Sequence, residues 1–196
     1  MLRITSEWLI ERGAHNGDIA DFKEAFPLGF ELNEANIRAA AMKGLAVEFV
    51  IGELQLTIDA LEYSYGGTRY FNNGKLHREG APAVEWVDGS AEWWVNGKKH
   101  RSVGPAVEYA NGSKSWWVNG KRHRVGGPAS EWSDGLNEWW INGERHREDG
   151  PAVEWVSGKT EYWFRGKLHR GEGPAVEYPD GSAEYWINGA CIGRRL

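Results

Sequence analysis

One cysteine, Cys191, stands among 196 residues, so no internal disulfide can staple the fold. An excess of one charge is missing too. Residues 1–58 carry 5 Lys/Arg against 9 Asp/Glu, and residues 59–196 carry 18 against 19, for a net charge of −5. That balance excludes the basic footprint of a nucleic-acid-binding domain. No apolar run reaches the ~18 residues that would span a bilayer. Met1 to Ile10 is polar and interrupted by Glu7, which reads against a secretory segment. These absences together predict a soluble protein of the cytoplasm. No glycine-rich phosphate loop follows a strand pattern. Proline is sparse, at 7 residues, and the 26 glycines recur at turn positions, which excludes a disordered low-complexity tract.

Tryptophan is abundant: 12 residues, of which only Trp8 lies before residue 59. The cause is a 23-residue period. Asn-Gly stands at 73–74, 96–97, 119–120, 142–143 and 188–189, and Arg165-Gly166 fills the remaining slot. Four residues after the turn's first residue come His77, His100, His123, His146 and His169. A fixed period of this length means a stacked array in which neighbouring units bury each other's apolar faces. The array opens on a half unit near residue 59, where Ala60-Leu61-Glu62-Tyr63 precedes Ala83-Val84-Glu85-Trp86 by one period. It closes on another, Ala183 to Gly189, where Ile192 takes the histidine slot and the Gly-Pro step is gone.

The first ~55 residues read as short helices. Ser6 is placed to cap a turn through Trp8-Leu9-Ile10 that Gly13 ends. Asn16 is placed to cap Asp18 to Phe26, with Ile19, Phe22 and Phe26 on one face, and Pro27 closes it. Asn33 can cap Glu34 to Lys43, with Ile37, Ala40 and Ala41 inward and Gly44 as the stop. Leu45 to Leu54 reads as a further helix. The expected division is a helical capping block over residues 1–58 and an array over 59–196, since terminal units of arrays need a cover.

Within a unit, Asn-Gly alternates with a second turn at Asp88-Gly89, Asn111-Gly112, Asp134-Gly135, Ser157-Gly158 and Asp180-Gly181. Both turns suit tight hairpins. Aromatic and β-branched runs between them are strand compositions, and Gly-Pro at 104–105, 127–128, 150–151 and 173–174 breaks the ladder. The predicted fold is mainly β, an antiparallel hairpin-repeat meander of about two strands per unit behind a small N-terminal helical block.

Trp116-Trp117-Val118-Asn119-Gly120-Lys121-Arg122-His123-Arg124, followed by Gly126-Gly127-Pro128-Ala129, resembles the MORN repeat. The likeness covers residues 59 to about 190. It departs from the family where MORN units carry glycine after histidine, because this chain has Arg78, Arg101, Arg124, Arg147 and Arg170. The resemblance implies a scaffold that dimerises or meets phospholipid. Similar arrays occur in bacterial and phage proteins, and this implies a phage or prophage protein that inhibits a host defence factor.

Two-residue turns at both sites would put Trp93, Val95, His100, Val84, Trp86 and Ala91 on an apolar face. Glu92, Trp94, Lys99, Arg101 and Glu85 would share the other, with Glu85 opposite Glu92. Like charges opposite each other are unfavourable, so either an arginine offsets them or the second turn is longer. The second face carries the candidate binding ladder: Phe71, Trp94, Trp117, Trp140, Trp163 and Trp186, set among Arg101, Arg124, Arg147 and Arg170. Aromatic and arginine surfaces concentrate binding energy. Alternatively, a second chain or the helical block covers this face and both Trp columns are core.

No metal or other cofactor is expected. Equivalent histidines sit two strands apart, roughly 9.5 Å, while zinc–nitrogen bonds are about 2 Å. Nor is an enzyme expected, because each catalytic-looking residue of the array recurs five or six times and the singletons His15 and Cys191 carry no nucleophile motif. The expected function is a non-enzymatic protein-binding module whose partner is another protein, with homodimerisation as a further expectation. A membrane-surface scaffold for anionic phospholipid and a self-assembling scaffold are the alternatives. Stacking of single-stranded nucleic acid on the Trp columns ranks below these.

Overall fold

The computed structural model describes residues 3–14, 16–27, 29–43, 47, 50, 60–62 and 67–196. The chain divides into two compact units, Met1–Gly89 with Trp94–Gly97, and Ser90–Trp93 with Lys98–Leu196. The division falls inside the repeats, so the helices share a unit with the first hairpin.

In the first unit, helix α1 spans Ser6–Glu11, and its N-cap is Thr5 rather than Ser6: the Thr5 hydroxyl accepts from Trp8 N–H at 3.2 Å. Helix α2 spans Asn16–Ala25, so Asn16 lies within the helix rather than before it. Ile19 and Phe22 are buried as their spacing requires. Helix α3 spans Glu34–Met42 and is capped by Asn33, whose side chain accepts from Asn36 N–H at 2.9 Å. The short pair Arg3–Ile4 with Phe30–Glu31 had no sequence signal, being two residues long on each side. The predicted helix Leu45 to Leu54 and the stop at Gly44 lie outside the described residues, apart from buried Val47 and Val50. Ile4, Trp8, Ile37, Ala40 and Ala41 pack with Leu61 of strand Ala60–Glu62 and Phe71 of strand Thr68–Asn72. Arg38 ties helix to strand by donating to the Ala60 carbonyl at 2.7 Å.

In the second unit the ladder is an antiparallel meander in chain order, and it is built in two tiers. The first tier runs through Ala91–Glu92, Val107–Glu108, Lys114–Ser115, Ser130–Glu131, Asn137–Glu138, Val153–Glu154, Thr160–Glu161, Val176–Glu177, Ala183–Ile187 and Ala190–Arg195. The second tier consists of hairpins: Trp117–Val118 with Lys121–Arg122, Trp140–Ile141 with Glu144–Arg145, and Trp163–Phe164 with Lys167–Leu168. One residue per unit serves both tiers. Trp116 N–H donates to Ala129 in the first tier, while its carbonyl accepts from His123 N–H in the second.

The Asn-Gly hairpins are as their sequence predicts. Every Asn, and Arg165 in the same slot, has φ between 48° and 53°, and the following glycine is also left-handed, the signature of a two-residue type I′ turn. The other turn corrects the expectation. Val107 faces Ser115 and Glu108 faces Lys114, so this loop holds three residues, with only the glycine left-handed. The residue before that glycine instead accepts from the chain two residues on, as Asn111 Oδ1 does from Ser113 N–H at 2.9 Å.

The extra residue shifts the register by one, and a one-residue slip exchanges the faces. The expected apolar face is therefore not formed as drawn. Val107, Ser115, Ser130, Glu138, Val153, Glu161 and Val176 share one row, on the same side as the Trp117 column. The expected Glu–Glu opposition is absent, since Glu131 faces Asn137 and Lys114, and Glu154 faces Thr160 and Asn137. This row is the interior: Val107, Val153, Val176 and all of Ala106, Ala129, Ala152, Ala175 and Ala183 are buried. Such small side chains make a thin core, so the aromatic columns on either side of it remain half-buried.

Candidate functional site

The ten candidate residues divide between two different stacks. Phe71 is buried in the core of the first unit. Trp94, Trp117, Trp140, Trp163 and Trp186 are half-buried. Across the hairpin Trp117 faces Arg122 and Trp140 faces Arg145, whereas Trp163 faces Leu168 and Trp186 faces Cys191. Trp117, Arg122, Trp140, Arg145 and Trp163 alternate in one column, with each guanidinium 5.2–5.3 Å from the ring centroids on either side. Arginine fits here because its planar cation stacks on two rings at once.

Glu138 is the counter-ion of this column. It is buried and accepts from Arg145 at 2.6 Å, with Trp132 Nε1 at 3.3 Å and Arg122 at 3.7 Å. The tryptophan indoles otherwise bond two residues back: Trp117 to Ser115, Trp163 to Glu161 and Trp186 to Glu184. The saturated Glu138 leaves Trp140 Nε1 without a partner among the described residues. Ser115, standing where its neighbours have glutamate, leaves Arg122 Nε in the same condition, and so is the Ser130 hydroxyl.

Arg101, Arg124, Arg147 and Arg170 do not join this column. The chain turns away after each histidine and lays the guanidinium over the other aromatic column. Arg101 lies 3.7 Å from the Trp93 centroid, Arg124 3.7 Å from Trp116, Arg147 4.1 Å from Trp139 and Arg170 3.8 Å from Tyr162. In each, Nη1 donates both to the carbonyl of the next proline and to the glutamate seven residues on. Arg78 repeats the arrangement on Tyr70, Pro82 and Glu85. The glycine before the proline makes room: a Cβ on Gly150 would come within 2.9 Å of the Arg147 guanidinium carbon. This clamp gives the post-histidine arginine a structural role.

The histidines are joints. The Nδ1 atoms of His100, His123, His146 and His169 accept from the first N–H of the next unit's turn at 3.1–3.2 Å, as His77 does for Asn96. Neighbouring hairpins are further tied by backbone bonds such as Gly143 N–H to Arg122 and Arg124 N–H to Trp140. Among the described residues there is no cluster of three or more metal-ligating side chains.

A concavity lies on the histidine side. A groove of about 530 Å³ is lined by Val125, Pro128, Trp139, Ile141, His146 and Arg147, with Glu148 and Asp149 at its rim. A smaller hollow of about 270 Å³ shares Ile141, His146 and Glu148 with it and extends to Arg165. Val125 is 80% exposed. Hydrogen bonding and charge from Arg147 hold the Asp149 carboxyl below the ordinary aspartate range. Beyond the hollow, the half-exposed Phe164 ring stands between His146 and His169 at 4.9 and 5.9 Å.

The candidate ladder read from the sequence is the opposite column, and Val125, Trp139, Ile141, Glu148 and Asp149 were not among its residues. A signal existed. Between His-Arg and Gly-Pro the units read Ser102-Val103, Val125-Gly126, Glu148-Asp149 and Gly171-Glu172, positions at which the copies differ. The recurring slots carry the clamp and joints and form part of the groove; Val125, Glu148 and Asp149 add side chains to it from the varying slots. No protein-family model matches this chain, and no curated protein is significantly similar to it. No described helix is long and apolar enough to cross a membrane.

Proposed function

We propose that the chain is a non-enzymatic, MORN-like protein-binding module, and that the groove around Trp139 and Ile141 is its contact site. The groove itself carries this reading: its volume is that of a ligand pocket, it pairs an aromatic and two aliphatic side chains with two carboxylates, and Val125, Glu148 and Asp149, which differ from their counterparts in most other units, are set in it among residues that repeat. An apolar side chain flanked by a basic one is the partner feature that suits it. The turns that build it are fixed by backbone bonds before any partner arrives, which lowers the ordering cost of binding. The setting we propose, a phage or prophage inhibitor of a host defence protein, rests on the resemblance alone.

The test is capture from host lysate by tagged full-length chain, comparing wild type with Val125→Asp/Glu148→Arg. Both positions are exposed, so the variant keeps its clamps. Loss of one stoichiometric protein in the folded variant supports the reading; equal capture by both counts against the groove.

A second reading draws on exposed lysines at the hairpin tips, Lys98, Lys121 and Lys167, which offer charge to anionic phospholipid. Glu144 interrupts the row and the net charge opposes it. Flotation with anionic and neutral vesicles separates the two. Self-assembly or homodimerisation through the exposed edge strand Ala190–Arg195 is read by light scattering.

A further inference from the structure

Of six Asn-Gly dipeptides in the array, the five in type I′ hairpins share one turn type and an exposed asparagine, yet their glycine amides differ; in the sixth, Asn111-Gly112, Gly112 N–H donates to Tyr109 at 2.9 Å within its own loop. Gly97 N–H donates to Leu76, Gly120 to Lys99, Gly143 to Arg122 and Gly189 to Leu168, all at 2.8–2.9 Å. Each acceptor belongs to the preceding hairpin. Gly74 closes the first hairpin, and among the described residues its N–H has no such acceptor. The asparagine amides follow the same rule: those of Asn96, Asn119, Asn142 and Asn188 donate to the preceding histidine, and no histidine precedes Asn73 in the array.

That difference bears on a reaction specific to the dipeptide. The backbone nitrogen of the glycine attacks the asparagine Cγ. The new N–C bond closes a five-membered succinimide, the bond from Cγ to the amide nitrogen breaks, and ammonia leaves with the proton that the glycine N–H gives up. Water then opens the ring at either carbonyl to give aspartate or isoaspartate. The sum is one water consumed and one ammonia released, with no redox partner. A glycine N–H bonded to a carbonyl must break that bond before its nitrogen can attack, and its proton is held by the acceptor.

We propose that Asn73 is the array's selective site of spontaneous deamidation, that stacking of each hairpin on its predecessor protects the other four hairpin sites, and that the loop bond of Gly112 protects Asn111. The product places a carboxylate beside Lys75 at the first turn. Its isoaspartate form adds a backbone atom to a two-residue loop whose length sets the Phe71–Leu76 pairing.

The experiment incubates full-length protein at 37 °C and mildly alkaline pH, then measures deamidation at each asparagine by peptide mapping, with a parallel sample in concentrated urea. The expected result is that Asn73 reacts about fivefold or more faster than Asn96, Asn119, Asn142 and Asn188 in the folded protein, the factor that one hydrogen bond supplies. In urea that preference disappears. Equal rates at all five hairpin sites, or a rate at Asn111 that matches Asn73, in the folded protein overturn the proposal. So does an Asn73 preference that persists in urea, because local sequence would then be its cause.

Discussion

The Arg124 guanidinium carbon lies 3.7 Å from the Trp116 ring centroid while the same side chain bonds Pro128 and Glu131. One residue thus holds a strand, a bend and the next strand. A lysine has the charge but neither the plane nor the second donor in fixed geometry. Arg124→Lys is expected to lose about 1–2 kcal/mol of stability, and Arg124→Ala more, measured by urea denaturation. An unchanged midpoint for the lysine variant would show the stack to be ornamental.

The array supplies its own consensus at position 130. Val84, Val107, Val153 and Val176 occupy the equivalent slot and are buried, whereas Ser130 is buried with its hydroxyl unpaired. Ser130→Val removes an unsatisfied donor and adds apolar burial, so it is expected to raise stability by about 1 kcal/mol. Thermal denaturation checks this; a lower midpoint would mean that the hydroxyl has a partner in solution.

Arg165 adopts φ 48° in a slot that asparagine fills five times. Asparagine tolerates the left-handed region better than other side chains with a Cβ. Arg165→Asn is expected to stabilise by about 0.5 kcal/mol, and Asn142→Ala to destabilise by about 1 kcal/mol. The opposite order in chemical denaturation would refute the assignment of strain to this slot.

His123 contributes an acceptor, Nδ1, to the exposed amide of Asn142. Water can replace it there, so His123→Ala is expected to cost no more than about 1 kcal/mol. Adding zinc should leave the melting temperature of wild type unchanged, because neighbouring imidazoles are too far apart to share an ion. Stabilisation by zinc that vanishes in the variant would restore a metal role.

The Asn-Gly hairpins were legible because the type I′ turn demands left-handed φ at both positions and the dipeptide provides it. The neighbouring turn was not, since Asn111-Gly112 uses the same letters in a three-residue loop where Asn111 bonds Ser113 instead. That single residue carried Val107 to the side of the Trp117 column, and Arg124 left that column because the chain turns away after His123. Helix faces such as Ile19 with Phe22 followed from periodicity. Thr5 displaced Ser6 as a cap because adjacent hydroxyls compete for the same amides and only the backbone path decides between them. The groove went unread because its recurring residues, such as Trp139, His146 and Arg147, read as structure, and Val125, Glu148 and Asp149 stand outside the repeat pattern.

The most direct measurement is the paired capture experiment on folded protein, wild type beside Val125→Asp/Glu148→Arg, with circular dichroism confirming the fold of both. The account predicts one stoichiometric host protein held by wild type and released by the variant. Retention of that protein by the variant, or its loss only when Trp140→Ala alters the opposite column, would contradict the groove as the contact site.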